Sequence, residues 1–187
     1  MPDAIDLLKT RRSPRIPDLG EPGPGEAELA TLLAIAARVP DHGKLTPWRF
    51  LVIAGEARGK VADMVEAHFR AAHPEATADQ VARERLDFTV CPLIVGVVSR
   101  AAPHPKIPEW EQMLSAGAAC MNLVHAAHAL GFGANWTTGF AAYDRGCLDA
   151  LGLAPHERIA GFVHIGTPKA AREERERPAL DRIVTRL

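Results

Sequence analysis

Six consecutive positions, Leu93-Ile94-Val95-Gly96-Val97-Val98, carry no polar side chain and stand between Pro92 and a proline-rich loop. A strand with one wet face alternates apolar and polar residues, whereas an unbroken apolar run bounded by breakers suits a strand buried on both faces. Such a strand constrains the whole chain, because other elements have to cover it from two sides.

The rest of the sequence is rich in helical patterns. Asp3 caps a short helix, Ala4 to Lys9, with Ile5 and Leu8 as its apolar face. Glu26 to Ala37 sets Leu29, Leu32, Leu33 and Ala36 at helical spacing, and Pro40 marks its end. Ala57 to Ala72 reads as helix, and Thr77-Ala78-Asp79-Gln80 has the form of a capping box opening another that runs to about Leu86. The longest predicted helix spans Glu109 to Leu130, with Gly131 as a left-handed cap. Its middle, Ser115 to Cys120, is built of small residues, which suits either tight packing within the chain or a subunit interface. Asp144 caps a short helix to Leu151. Further strands are predicted at Arg49–Ile53, Gly133–Thr138 and Ile159–Gly166. Pro14 to Gly25, with four prolines and three glycines, reads as an extended connector. Arg172 to Arg177 reads as a solvated, mixed-charge segment, and Ile183-Val184 as a candidate edge strand. Helices interspersed with a few buried strands point to an α/β or α+β layered domain, and 187 residues suit one domain.

Composition removes several functions. A net charge of −1 gives no electrostatic footprint for nucleic acid, and one Tyr, three Trp and six Phe are too few for a base-stacking platform. Cys91, Cys120 and Cys147 are odd in number and form no C-x-x-C pair, so neither a disulfide framework nor a thiolate zinc motif is indicated. The stretch from Met1 to Asp6 has neither a basic region nor an apolar core of the signal-peptide type, so a cytoplasmic protein with reduced thiols is expected. The most apolar long stretch, Ser115 to Ala134, carries Asn122, His125 and His128 and is too polar for a good membrane span. His125 and His128 lie three apart on one helical face without a third ligand at suitable spacing, so packing explains them better than metal.

Chemistry concentrates at Thr10-Arg11-Arg12-Ser13-Pro14-Arg15, where three guanidiniums and a hydroxyl follow the end of the first helix. Arg presents a planar fork of donors matched to phosphate oxygens and stays charged at any working pH. Arg15 fits this role or a surface ion pair equally well. No G-x-G-x-x-G turn is present, which argues against a dinucleotide-binding Rossmann fold.

Four segments taken together resemble the nitroreductase family of FMN-dependent oxidoreductases, most closely its small, single-domain branch. They are Arg11-Arg12-Ser13, the loop Arg38-Val39-Pro40-Asp41-His42 with Pro47-Trp48-Arg49-Phe50, the turn Trp136-Thr137-Thr138-Gly139, and Gly161-Phe162-Val163-His164-Ile165-Gly166-Thr167-Pro168. The resemblance runs in the same order over roughly residues 4 to 168. It implies an α+β three-layer sandwich, a central and mainly antiparallel sheet flanked by helices, in a homodimer that binds FMN in a cleft shared by both subunits. By the same resemblance, Arg11, Arg12 and Ser13 would hold the FMN phosphate and ribityl chain. Arg38 and His42 would flank the flavin as the other subunit's contribution, although a structural pairing of His42 with Asp41 also fits the sequence. Trp136, Thr137 and Thr138 would lie along the ring or ribityl chain, and Ala126 to Gly131 would face the approaching nicotinamide.

The implied reaction takes electrons from NADH or NADPH and passes them to a small electrophile, such as a nitroaromatic or a quinone, in ping-pong fashion. No protein nucleophile is required, because flavin N5 carries the chemistry. The alternatives are a module that holds FMN without turnover and a scaffold whose arginines are merely solvated. One departure stands out: Thr46 occupies the place before Pro47-Trp48 where many relatives have Gln. The tail after Pro168 follows no family pattern and is a candidate to cross to a partner subunit.

Overall fold

The structure is a computed structural model that describes residues 3–187. Met1 and Pro2, part of the stretch read above for a secretion signal, lie outside the described residues. The elements follow in the order α1 (Ala4–Thr10), β1 (Leu19–Gly20), α2 (Glu26–Ala36), β2 (Trp48–Ala54), α3 (Glu56–Ala72), α4 (Ala78–Thr89), β3 (Leu93–Ser99), α5 (Glu109–Ala129), β4 (Gly133–Thr137), α6 (Arg145–Ala150) and β5 (Arg158–Pro168). Short 3-10 turns lie at Ile16–Asp18, His42–Lys44, Phe140–Ala142 and Leu180–Arg182.

β3 is the centre of the sheet and is buried along its whole length. It pairs antiparallel with β2 on one side and β5 on the other. β5 is long enough to carry two further antiparallel neighbours on its other side, β4 from Gly133 to Thr137 and β1 at Leu19 and Gly20. The unbroken apolar run of β3 divides by alternation. Ile94 and Val98 join one core with Ile53, Val65, Phe88, Leu148 and Phe162, under α3, α4 and α6. Leu93, Val95 and Val97 join the other with Leu32, Ala119, Leu123, Val163 and Ile165, under α2 and α5. Helices over both faces of an antiparallel sheet make the α+β sandwich expected from the sequence. Each fully buried Val, Leu or Ile contributes about 1.5–3 kcal/mol, which is why a strand without a polar face belongs at the centre.

The helix signals locate the helices well. Asp3 accepts from the Ile5 N–H at 3.2 Å, Thr77 and Gln80 form a reciprocal capping box, and Asp144 accepts from the Cys147 N–H at 2.8 Å. Gly131 closes α5 with φ +89°. Two expectations need correction. The connector Pro14–Gly25 contains strand β1, whose Leu19 is fully buried; two residues are too few to show an alternating pattern. Ile183 and Val184 do not form an edge strand in this chain; they follow the turn Leu180–Arg182 and are exposed.

Candidate functional site

α5 is the spine on which the chemistry-bearing segments hang. At its C-terminal end the His128 ring lies between two backbone carbonyls, with Nε2 2.9 Å from that of Arg12 and Nδ1 2.8 Å from that of Val124. A carbonyl can only accept, so both ring nitrogens face acceptors and the ring is a donor here. This holds the backbone of the Arg-Arg-Ser segment against the helix. β4 fixes the other side. The Asn135 amide donates to the Pro14 carbonyl at 2.6 Å, and Gly133 leaves no room for a side chain against Pro14 and Leu19. The segment Arg12–Pro14 therefore runs beside the edge strand that carries Trp136 and Thr137.

The C-terminal tail closes over this segment. Arg12 donates to the Glu173 carbonyl and pairs with the Glu174 carboxylate at 3.4 Å, while Arg177 reaches the same carboxylate at 3.0 Å. Arg11, half-buried, donates to the Ser13 hydroxyl at 3.5 Å. Burial, together with the positive charges of Arg177, Arg12 and Arg175, presses the Arg11 guanidinium below its ordinary pKa, and Glu174 alone opposes the shift. Two guanidiniums, Arg12 and Arg177, thus share the Glu174 carboxylate, and the charges of Arg11 and Arg175 lie close by. A cavity of about 220 Å³ lies alongside, lined by Thr10, Arg12, Pro14, His128 and Phe132. Burial also lowers the pKa of His125, with the charges of Arg11 and His128 adding to it, so no further cation comes from that ring at neutral pH. The cluster is short of negative charge, and a doubly charged anion such as a phosphate monoester supplies what it lacks. Arg15 stands apart, exposed and paired with Asp18 at 2.9 Å.

The end of β4 splits its side chains between the two faces of the sheet. The Trp136 indole lies on the α5 face, donates to the Ala160 carbonyl at 3.1 Å, and rests between Gly161 and Gly117. Beside it opens a cavity of about 560 Å³ lined by Met113, Gly117, Arg158 and Ala160. Thr137 points to the opposite face, where its hydroxyl meets Nε2 of buried His164 at 3.1 Å. Burial drives that imidazole down to about 4, so it is neutral. The Thr137 side chain is therefore committed inward. Thr138 accepts from the Tyr143 hydroxyl at 3.3 Å.

Arg38 and His42 occupy the other end of the α5 spine. Asn122 donates to the carbonyls of Ile35 and Arg38, and Ser115 donates to that of Pro40 at 2.6 Å. The Arg38 side chain is exposed and has no ion-pair partner among the described residues. His42 pairs with Glu111 at 2.7 Å rather than with Asp41. Asp41 instead accepts from the backbone N–H groups of Leu45 and Thr46 at 2.9 and 3.0 Å. These bonds hold a strained turn, in which Lys44 and Thr46 adopt φ +56° and +48° although neither is glycine. A cavity of about 350 Å³ separates His42 from Leu114 and Ala118 of α5.

The residues singled out from the sequence fall into two neighbourhoods. Arg11, Arg12 and Ser13 lie next to the β4 turn with Trp136, Thr137 and Thr138, while Arg38 and His42 are joined to them by no hydrogen bond or ion pair among the described residues. The packing expected of His128 is what the structure shows, against the backbone of Arg12. Arg175 and Arg177 lie in the segment expected to be solvated, and only the fold carries them to Arg11 and Arg12.

Residues 8–167 match the family model described as the nitroreductase family. The chain is 38% identical over 167 residues, 89% of each chain, to YdjA of Escherichia coli K12, provisionally named an NAD(P)H nitroreductase. It is similar in structure to a nitroreductase-like family protein from Bacillus cereus, with TM-score 0.83 and 24% identity, covering 100% of this chain and 97% of that one. It is also similar to NfnB from a Sphigopyxis strain, described as an FMN- and NADPH-dependent nitroreductase, with TM-score 0.77, 21% identity and 98% of both chains covered. With a family match over most of its length and a relative this similar, the chain belongs to the nitroreductase family.

Proposed function

We propose that the chain is an FMN-dependent oxidoreductase that uses NADH or NADPH to reduce small electrophiles, nitroaromatics and quinones among them, in a ping-pong cycle. The observation that carries this reading is the under-neutralised cluster of Arg11, Arg12, Arg175 and Arg177 with Ser13, seated against the strand that ends in Trp136-Thr137-Thr138. Its donors suit a dianionic phosphate, and Trp136 offers an apolar wall beside them. When bound, FMN supplies the two-electron carrier that takes hydride from the nicotinamide and returns it to the acceptor.

The chain's own residues bind and orient. Arg11, Arg12 and Ser13 would take the phosphate, joined by Arg175 and Arg177 and displacing Glu174. Trp136 would line the ring side and Thr138 would offer its hydroxyl, whereas Thr137 would contribute backbone groups, since its side chain is held by His164. Arg38 and His42 belong in this reading to the cleft of the second subunit of a homodimer of single-domain chains. Both are exposed, and the α5 face between them and Trp136 shows Trp110, Met113 and Leu114 to solvent. The E. coli relative's name and the description of NfnB support the donor and the cofactor.

The test is the visible spectrum of the purified protein before and after NADH or NADPH under anaerobic conditions. A flavin band that bleaches on addition supports the reading. A band that persists would make the protein a flavin-holding module, and a colourless protein that takes up no added FMN would overturn the proposal.

A further inference from the structure

On the far side of the sheet from α5, one group of side chains has no part in the flavin reading. His68 of α3 meets Asp144 and Cys147, at the start of α6, and their ligand-type atoms lie within 4.8 Å of one another. We propose that these three side chains form a Zn²⁺ site whose fourth position is left to water. An imidazole nitrogen, a carboxylate oxygen and a sulfur make a mixed, borderline-soft donor set, which suits zinc and not the all-oxygen cages of calcium or magnesium. Bond lengths of about 2.0–2.3 Å set tetrahedral donors roughly 3.3–3.8 Å apart. His68 Nδ1 and Asp144 Oδ1 are already 3.7 Å apart, so small side-chain movements close the triad.

The surroundings favour the arrangement in three ways. Asp144 is fixed by the N–H of Cys147, which it accepts on Oδ1, and its carboxylate also faces the Cys147 thiol. The imidazole reaches its position only because residue 146 is glycine: a Cβ there would stand 2.5 Å from both Nδ1 and Cε1 of His68. No ion pair to Lys or Arg engages Asp144 among the described residues, since Arg145 turns to Asp149 at 2.7 Å and to the Leu153 carbonyl. Glu84 adds a further negative charge in the neighbourhood of Cys147. His68 and Asp144 are partly open to solvent and Cys147 is buried, so a cation enters past the first two and ends on the sulfur. As the Zn–S bond forms, the thiol proton passes to water. The thiolate and the carboxylate then balance the two charges of the ion.

The experiment uses the purified full chain, stripped with a chelator and titrated with Zn²⁺ alone against a chromogenic chelator. One ion per chain is expected. His68→Ala and Cys147→Ser should each weaken binding about tenfold or more. Gly146→Ala keeps all three donors but crowds the ring, and it should weaken binding as well. Co²⁺ in place of zinc should give a thiolate charge-transfer band that Cys147→Ser abolishes. If Cys147→Ser does not fold, the half-exposed His68→Ala, checked by circular dichroism, decides in its place. No saturable zinc binding by the unsubstituted chain, or one-to-one binding that survives both His68→Ala and Gly146→Ala, would overturn the proposal.

Discussion

Arg11 is held where a guanidinium is poorly accommodated, half-buried and close to three of its own kind. Arginine does not escape such a place by losing its proton, so the crowding is borne by the apo fold until an anion relieves it. Two substitutions should therefore act in opposite directions on FMN affinity. Arg11→Ala removes a charge-assisted contact of the kind that contributes about 1.5–3 kcal/mol, so the dissociation constant should rise by about 10- to 100-fold, while the melting temperature of the apo protein does not fall. Glu174→Gln removes the carboxylate that competes with phosphate for Arg12 and Arg177. It should tighten FMN binding several-fold at low ionic strength, with the gain shrinking as salt is added. Flavin fluorescence titrations at two salt concentrations check both. A different residue governs acid stability. The side chain of Glu157, only 7% exposed, takes two hydrogen bonds from Arg49, at 2.9 and 2.7 Å. These, with the Ala154 N–H and the charges of Arg49 and Arg100, outweigh its burial and hold its pKa down to about 2, against an ordinary 4.5. A carboxyl lowered on folding stabilises the native state above its unfolded pKa, and that contribution fades as the pH falls through the folded one. Glu157→Gln should thus cost about 2–3 kcal/mol in denaturant unfolding at pH 7. The difference from the unsubstituted chain should narrow as the pH drops from 4.5 towards 2.

Strands β4 and β5 show how an element can aim side chains that no motif describes. Pairing of Trp136 with Val163 and Thr137 with Phe162 sends the indole to the α5 face and the threonine to His164. The motif Trp136-Thr137-Thr138 was legible as a unit in the sequence, but this division was not, because the face a strand residue takes depends on register with a partner strand. The same holds at the other end of the scale of legibility. α2, α4 and α5 declared themselves through local caps or helical spacing, whereas β1 needed β5 to exist at all, and Arg175 and Arg177 acquired a role only when the tail folded back to Arg12, 161 positions from Glu173. The indole's seat can be tested directly. A methyl group on Gly161 would lie 1.8 Å from Trp136 Nε1 and 2.3 Å from Cδ1, and the buried strand cannot yield. Gly161→Ala should destabilise the fold by about 1–3 kcal/mol, the usual range for overpacking, and swing the indole into water. The expected signature is a red shift in tryptophan emission that disappears in a Trp136→Phe background. An unshifted spectrum would mean that β5, not the indole, moves.

At the scale of the molecule, the stripe of small residues on α5 proves to face two ways. Ala119 and Cys120 pack into the core beneath the helix and Ala116 is fully buried, which meets the expectation of tight packing within the chain. Gly117 and Ala118 lie on the flank, with Trp110, Met113 and Leu114 exposed by 64, 45 and 54% beside them. An apolar stripe of this kind along one helix suits an interface. The proposed reading of the site agrees with an interface here, because Arg38 and His42 on one side of this face and Arg11, Arg12 and Trp136 on the other are joined by no hydrogen bond or ion pair among the described residues. A homodimer covering α5 would let one subunit's Arg38 and His42 complete the other's cleft, so that assembly and flavin binding become a single equilibrium. Leu114→Asp separates this from a site complete in one chain. Leu114 lines the cavity next to His42, and no phosphate-side residue shares that lining. If the site is shared, the charge should both shift the protein to monomers in sedimentation analysis and weaken FMN binding at least tenfold, and raising the protein concentration should restore part of each. Monomers that keep full flavin affinity would show that one chain holds the cofactor alone, and would return Arg38 and His42 to the role of surface residues.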